Sequence, residues 1–240
     1  MLKKLLTAAT IAAMPVVAHA ADIATKAPPR FAPAPVAYNW TGFYIGANAG
    51  YGLGNVVIDD KDCNISCSSQ TLSPNGFTAG GTIGYNWQFG STVLGMEGDW
   101  NWIDAKKTID DPDWPSQHRA EIKSFGTVRA RAGLALDRTL LYLTGGVGFV
   151  NQNVHAIITE PCTSQCGFSK SDTKAGLAVG AGAEFALSGP WTAKAEYLYI
   201  NVPADNSIPD VLPNFTSDQY NVKTDLHVVR AGLNYRFWSN

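Results

Sequence analysis

From residue 77 to residue 89 the chain alternates without interruption. Phe77, Ala79, Gly81, Ile83, Tyr85, Trp87 and Phe89 take one side of an extended backbone, and Thr78, Gly80, Thr82, Gly84, Asn86 and Gln88 take the other. Successive side chains of a strand point to opposite faces, whereas a helix would spread these residues around its circumference. A period of two kept over this length describes a strand with an apolar environment on one face and a polar or crowded one on the other.

Seven further segments repeat the pattern. Residues 41–52 set Phe43, Ile45, Ala47, Ala49 and Tyr51 against Tyr44, Gly46, Asn48 and Gly50, and residues 93–103 set Leu94, Met96, Trp100 and Trp102 against Glu97, Asp99 and Asn101. Residues 124–136 oppose Val128, Ala130, Ala132, Leu134 and Leu136 to Thr127, Arg129 and Arg131; residues 140–149 oppose Leu141, Leu143, Val147 and Phe149 to Tyr142 and Thr144. Residues 173–186 oppose Leu177, Val179, Ala181, Ala183 and Phe185 to Lys174, Gly176, Gly180, Gly182 and Glu184. Residues 191–200 oppose Ala193, Ala195, Tyr197 and Tyr199 to Thr192, Lys194 and Glu196. Residues 225–237 oppose Val229, Ala231, Leu233, Tyr235 and Phe237 to Arg230, Asn234 and Arg236. With 23 Gly, 7 Trp, 9 Tyr and 10 Phe against only 16% charged residues, the composition suits many short strands and not a helical bundle. A net charge of -2 leaves no basic footprint for nucleic acid, which is not expected as a partner.

The connections alternate too. Gly90-Ser91, Asp137-Arg138 and Ser188-Gly189-Pro190 are short turns, whereas residues 53–75, 103–121, 150–172 and 201–224 form polar connections of roughly twenty residues, beyond ordinary hairpin lengths. Bacterial outer-membrane barrels have short periplasmic turns, long external loops, strands of about 10 residues and aromatic girdles. Trp87, Phe89, Trp100, Trp102, Tyr197, Tyr199, Tyr235 and Phe237 cluster near segment ends in that manner. A soluble barrel or sandwich would turn its apolar face inward and leave Glu97, Asp99, Glu184, Glu196 and the basic residues opposite them outside. It gives no reason for alternating loop lengths. The expected fold is all-β: an eight-stranded antiparallel up-and-down transmembrane β-barrel over residues 40–238, in the outer membrane of a Gram-negative bacterium. Both termini are expected in the periplasm and the long loops outside the cell.

The segment ahead of the barrel reads differently. Lys3 and Lys4, an apolar stretch over residues 5–17, and Ala18-His19-Ala20 form a secretory signal over residues 1–20, with Pro15 arguing against a membrane span. Residues 21–39 are rich in Ala and Pro, and Pro28, Pro29, Pro33 and Pro35 block helix and ladder alike, so a periplasmic linker is expected.

A family resemblance rests on an ordered set of motifs. Asn39-Trp40-Thr41-Gly42-Phe43-Tyr44-Ile45-Gly46, Asn48-Ala49-Gly50-Tyr51-Gly52 and Gly80-Gly81-Thr82-Ile83-Gly84-Tyr85-Asn86-Trp87 open the barrel region. Phe125-Gly126-Thr127-Val128-Arg129-Ala130-Arg131, Leu141-Tyr142-Leu143-Thr144-Gly145-Gly146, Val179-Gly180-Ala181-Gly182-Ala183-Glu184 and Trp191-Thr192-Ala193-Lys194-Ala195-Glu196-Tyr197-Leu198-Tyr199 follow. Together they resemble the RopB-type outer-membrane proteins of alphaproteobacteria, relatives of the OmpA-like, porin-like barrels. The resemblance implies a surface-exposed outer-membrane protein. It also implies that Val229, Ala231, Leu233, Tyr235 and Phe237 form the terminal signal read by the barrel-assembly machinery. Trp238-Ser239-Asn240 after Phe237 departs from the family's aromatic end.

Inside an eight-stranded barrel there is room for little but side chains. Glu97, Asp99, Glu184 and Glu196 are therefore expected to pair with Arg129, Arg131, Lys194, Arg230 and Arg236 in a lumen charge network, because an unpaired buried charge is costly. A narrow ion path is the rival reading. The long connections carry a net charge of -7, suited to divalent cations shared with lipopolysaccharide phosphates or simply to solvation. Cys63 and Cys67 lie in the first of them and Cys162 and Cys166 in the third. In an oxidising compartment these are candidate disulfides in any of three pairings, with zinc held by four thiolates as the alternative. No metal or cofactor is expected. His118, with Ser116 and Asp113 nearby, His155 and His227 form no visible nucleophile-and-base pattern, so an enzyme is not expected.

The functional expectation is an envelope-structural barrel that presents surface loops. A small porin for ions or small solutes, and loop-mediated binding of a host component or heme, are the alternatives. Expected partners are outer-membrane lipid and lipopolysaccharide, the barrel-assembly machinery and periplasmic chaperones. A monomer is expected, with an oligomer left open.

Overall fold

A computed structural model describes residues 38–60, 70–110, 116–158, 167–205 and 220–237. They form β1 (Gly42–Asp60), a short β2 (Gln70–Leu72), β3 (Asn75–Phe89), β4 (Thr92–Asp110), β5 (Ser116–Leu136), β6 (Thr139–Ile158), β7 (Gly167–Ala186), β8 (Trp191–Asp205) and β9 (Tyr220–Arg236). Every pairing is antiparallel, and β1 pairs with β9 from Tyr44↔Arg236 to Asp60↔Tyr220, which closes eight long strands into a barrel. No described helix is long and apolar enough to cross a membrane, which leaves crossing by strands untouched. The three short turns need left-handed backbone, supplied by Gly90 (φ 61), Asp137 (φ 50) and Gly189 (φ 58).

The two faces separate as the alternation dictates. Phe43, Ile45, Phe77, Ile83, Met96, Val128, Leu143, Leu177, Val229 and Leu233 point outward and are exposed, Phe77 by 79% and Leu143 by 67%. At about 3.3 Å per residue and a tilt of roughly 40°, the outward residues from Phe43 to Leu53 rise about 25 Å, the height of a barrel's lipid belt. Trp87, Phe89, Trp191 and Phe237 lie outward toward the short-turn end, and Trp100, Trp102 and Tyr51 toward the other.

Beyond the belt the strands continue, which corrects the expectation of four long loops. β1 runs to Asp60, β4 to Asp110, β6 to Ile158 and β8 to Asp205; β5, β7 and β9 start about equally far out, whereas the return from β1 is made by the short β2 and only then by β3. The reason is a switch of sides. Above Gly54 the apolar residues lie on the inner face, as with Val56, Ile122, Val202 and Leu226, while the outer face turns polar. Irregularities between Ile122 and Ser124 and between Val202 and Asp205 shift the phase further. Prolines then limit lateral pairing at this tall end. Pro74 has no N–H to give, and its carbonyl instead accepts from Gly54 N–H at 2.7 Å, so β1 pairs with β3 up to Leu53↔Asn75 and with β2 beyond. On the other side of the barrel β8 reaches Pro203, and its pairing with β7 stops at Leu177↔Asn201.

The lumen is filled in layers. Toward the tall end lie Ile103, Ala105, Ile122, Phe125, Val150, Ala178, Leu198, Ile200, Val202, Leu226 and Val228, all buried. Toward the short-turn end Trp40, Val93, Leu140, Tyr142 and Ala186 form a second apolar layer, with Tyr38 and Ala135 against it. Trp40 enters the barrel mouth, where its backbone N–H donates to Gln88 Oε1 at 2.6 Å. Between the apolar layers lies the charge.

Candidate functional site

Strand register brings opposite charges face to face. Glu97 lies across from Arg129, Glu184 from Lys194 and Glu196 from Arg230, each on the inward side of neighbouring strands. Arg129 is the hub. Its Nη2 donates to Glu97 Oε1 at 2.7 Å and Asp99 Oδ2 at 2.9 Å, its Nη1 to Glu196 and to Thr144 Oγ1 at 2.8 Å, and its Nε to Thr127 Oγ1 at 2.8 Å. Arg230 meets Asp99 Oδ1 at 3.1 Å and Glu196 Oε1 at 3.3 Å, and Lys194 meets Glu97 Oε2 at 3.0 Å. Arg131 pairs with Glu184, which also accepts from Thr192 at 2.5 Å and Asn234 at 2.8 Å. Four carboxylates thus face four cations, with side chains at most 1% exposed.

Two tyrosines complete the layer. Tyr44 O–H donates to Glu97 Oε2 at 2.8 Å and Tyr142 O–H to Glu196 Oε2 at 3.2 Å, while the Arg131 guanidinium lies over the Tyr142 ring, 3.6 Å from its centroid. Each ring lies across the strand from a glycine, Tyr44 from Gly84 and Tyr142 from Gly182, where a Cβ would overlap the ring. Glycine here makes the space that lets a phenol lie down inside the barrel. The sequence carried a signal for both tyrosines: they are aromatic residues on otherwise small or polar faces.

Arg236 departs from the expected network. Among the described residues it meets no carboxylate; its Nη2 donates to Thr41 O at 2.8 Å, and its guanidinium stacks on Tyr38 at 4.9 Å and Trp40 at 5.8 Å. The reason is height: Arg236 sits at the mouth with the incoming chain, beyond the reach of the carboxylate layer. Val229, Ala231, Leu233, Tyr235 and Phe237 lie together on the outer face of the last strand.

The four acids are engaged in ion pairs, and the described residues hold no group of His, Cys, Asp and Glu suited to a metal ion. His227 faces outward near the tall end, with Nδ1 2.6 Å from the Tyr197 hydroxyl and its ring 4.9 Å from that of Tyr199. The backbones of Ser116 and His118 lie on β5 and that of His155 on β6. Cys63, Cys67, Cys162, Cys166 and Asp113 lie outside the described residues.

Comparison with known proteins agrees with this architecture. The family model described as outer membrane protein beta-barrel domain matches residues 7–237. The chain is 35% identical over 246 residues to the 31 kDa outer-membrane immunogenic protein of Brucella melitensis biotype 1, covering 98% of this chain and 100% of that one. It is 27% identical over 208 residues to the 22 kDa outer membrane protein of Rhizobium leguminosarum bv. viciae, covering 86% and 82%. Among solved structures it is similar to Neisserial surface protein A, with 16% identity, a TM-score of 0.45, and coverage of 82% and 98%. Lipid-height belt, closed antiparallel barrel and alphaproteobacterial relatives agree: the chain belongs to the outer membrane protein beta-barrel domain family and is an outer-membrane β-barrel protein.

Proposed function

We propose that this protein is a non-conducting, non-enzymatic barrel of the outer membrane that stabilises the envelope and displays a strand-built turret to the outside. The observation that carries the reading is the filled lumen, a charge layer sealed between two apolar layers. Ions crossing it would have to break buried ion pairs and then enter hydrocarbon-like packing, both costly. The porin reading has no comparable support.

The short-turn end is assigned to the periplasm and the tall end to the outside, following the usual arrangement of such barrels. The polar outer face of the tall end, with Asp104, Lys106, Glu121, Asn151 and Lys223, suits contact with lipopolysaccharide headgroups and water. An epitope inserted between residues 111 and 115 is expected to bind antibody on intact cells, and one inserted between Asp137 and Arg138 only after the outer membrane is permeabilised. The reverse pattern would overturn the orientation.

A further inference from the structure

Among the tyrosines whose side chains are described, the hydroxyls meet different proton acceptors. Tyr51 donates to the amide oxygen of Asn75 at 2.8 Å, Tyr44 and Tyr142 donate to buried carboxylates, and Tyr199 donates to Asp225 Oδ1 at 2.6 Å. Tyr197 meets an imidazole, its hydroxyl lying 2.6 Å from His227 Nδ1. The difference matters when an electron leaves. A phenol that loses an electron becomes a strong acid, so it yields the electron readily only where a base within hydrogen-bond reach takes the proton. An amide oxygen is no such base, and an imidazole is ordinarily a base about 400-fold stronger than a carboxylate. Asp225 is further occupied, accepting from Asn201 at 2.6 Å and lying 3.5 Å from the Lys223 ammonium.

We infer that Tyr197 is the barrel's preferred site of one-electron oxidation, giving its electron to an oxidant such as a peroxyl radical while its proton passes to His227. Tyr197 loses one electron and one proton and is left as a phenoxyl radical. The peroxyl radical gains both, its proton coming by way of the imidazolium, and leaves as a hydroperoxide. The reaction is stoichiometric, so it gives the barrel a radical-scavenging capacity without turnover. The location suits it. Tyr197 and Tyr51 both pair with Val229, which sets Tyr197 in the aromatic layer at the tall end of the belt, and it is 45% exposed there. The imidazole is flanked by Tyr199 across on β8, with ring centroids 4.9 Å apart, and by Leu53 across on β1. Asp225, two residues away on the same face of β9, supplies negative charge for the imidazolium that forms. An interfacial anchor needs a ring and a polar tip but no base at the hydroxyl, so anchoring alone leaves the pairing with His227 unexplained.

The test uses the full barrel refolded in lipid vesicles. Flash-generated ruthenium(III) tris-bipyridine is the one-electron oxidant, and transient absorption follows the tyrosyl radical. The unaltered protein is expected to form that radical in a fast phase that slows in deuterated water, because a proton moves with the electron. Tyr197→Phe is expected to remove the phase. His227→Gln keeps a hydrogen-bonding side chain but supplies no base, and is expected to slow the phase at least about tenfold. Both substitutions lie on the outer face, and heat-dependent gel mobility establishes that the variants are folded. Nitrogen NMR of the imidazole is expected to show Nδ1 without a proton, as accepting from the hydroxyl requires. With peroxyl radicals released by a water-soluble azo initiator, peptide mapping is expected to find Tyr197 modified before any other tyrosine. An unchanged fast phase in His227→Gln, a proton on Nδ1, or earlier modification of Tyr199 or Tyr51 overturns the proposal.

Discussion

Arg129→Ala is expected to lower the unfolding free energy of the refolded barrel by about 3–5 kcal/mol, the range for stranding buried charge by removing its partner. Arg129 donates to Glu97, Asp99 and Glu196 at once, and no water-filled lumen stands ready to solvate them. Adding Glu196→Gln brings the layer back to three carboxylates and three cations, Arg131, Lys194 and Arg230. That double variant is expected to recover part of the loss. Urea titration in lipid vesicles, followed by tryptophan fluorescence and by heat-dependent gel mobility, measures both. A loss well under about 1 kcal/mol for the single variant would mean that water reaches the layer.

The second large effect is on the outer face. Leu143 is exposed, faces away from the lumen, and lies within the apolar belt, between the outward residues Leu141 and Val147 of β6 and across from Ala132 and Ala181. Arginine at the midplane of a membrane barrel costs about 2–4 kcal/mol, falling toward zero at the interfaces. Leu143→Arg is therefore expected to destabilise the vesicle-embedded barrel by that amount, while Thr108→Arg, on the polar stretch of β4 beyond the belt, is expected to stay within about 0.5 kcal/mol. If the exposed apolar face met water, the two substitutions would behave alike, and equal effects would contradict the membrane assignment.

Where the sequence was legible, the physics was one-sided. Phe77 through Phe89 read as a strand because lipid demands apolar side chains at every second position, and Glu97, Arg129 and Arg230 read as inward because a charge cannot face hydrocarbon. The tall end was not legible. There water replaces lipid outside while the lumen stays apolar, so Val56, Ile122 and Val202 reverse the pattern, and the phase shift near Ser124 hides it further. Arg236 was placed in the charge layer because parity puts it inside, but parity carries no height, and the arginine sits at the mouth under Tyr38 and Trp40. Trp40 marked the start of the alternation. That its side chain caps the lumen depends on the chain turning into the barrel, which no residue pattern announces.

Single-channel recording in a planar bilayer tests the filled lumen most directly. Heat-dependent gel mobility first establishes that the inserted protein is folded. A sealed charge layer predicts a flat baseline at any voltage the bilayer tolerates. Reproducible current steps, altered in size by Glu97→Gln, would show that ions pass through the charge layer and would contradict the account.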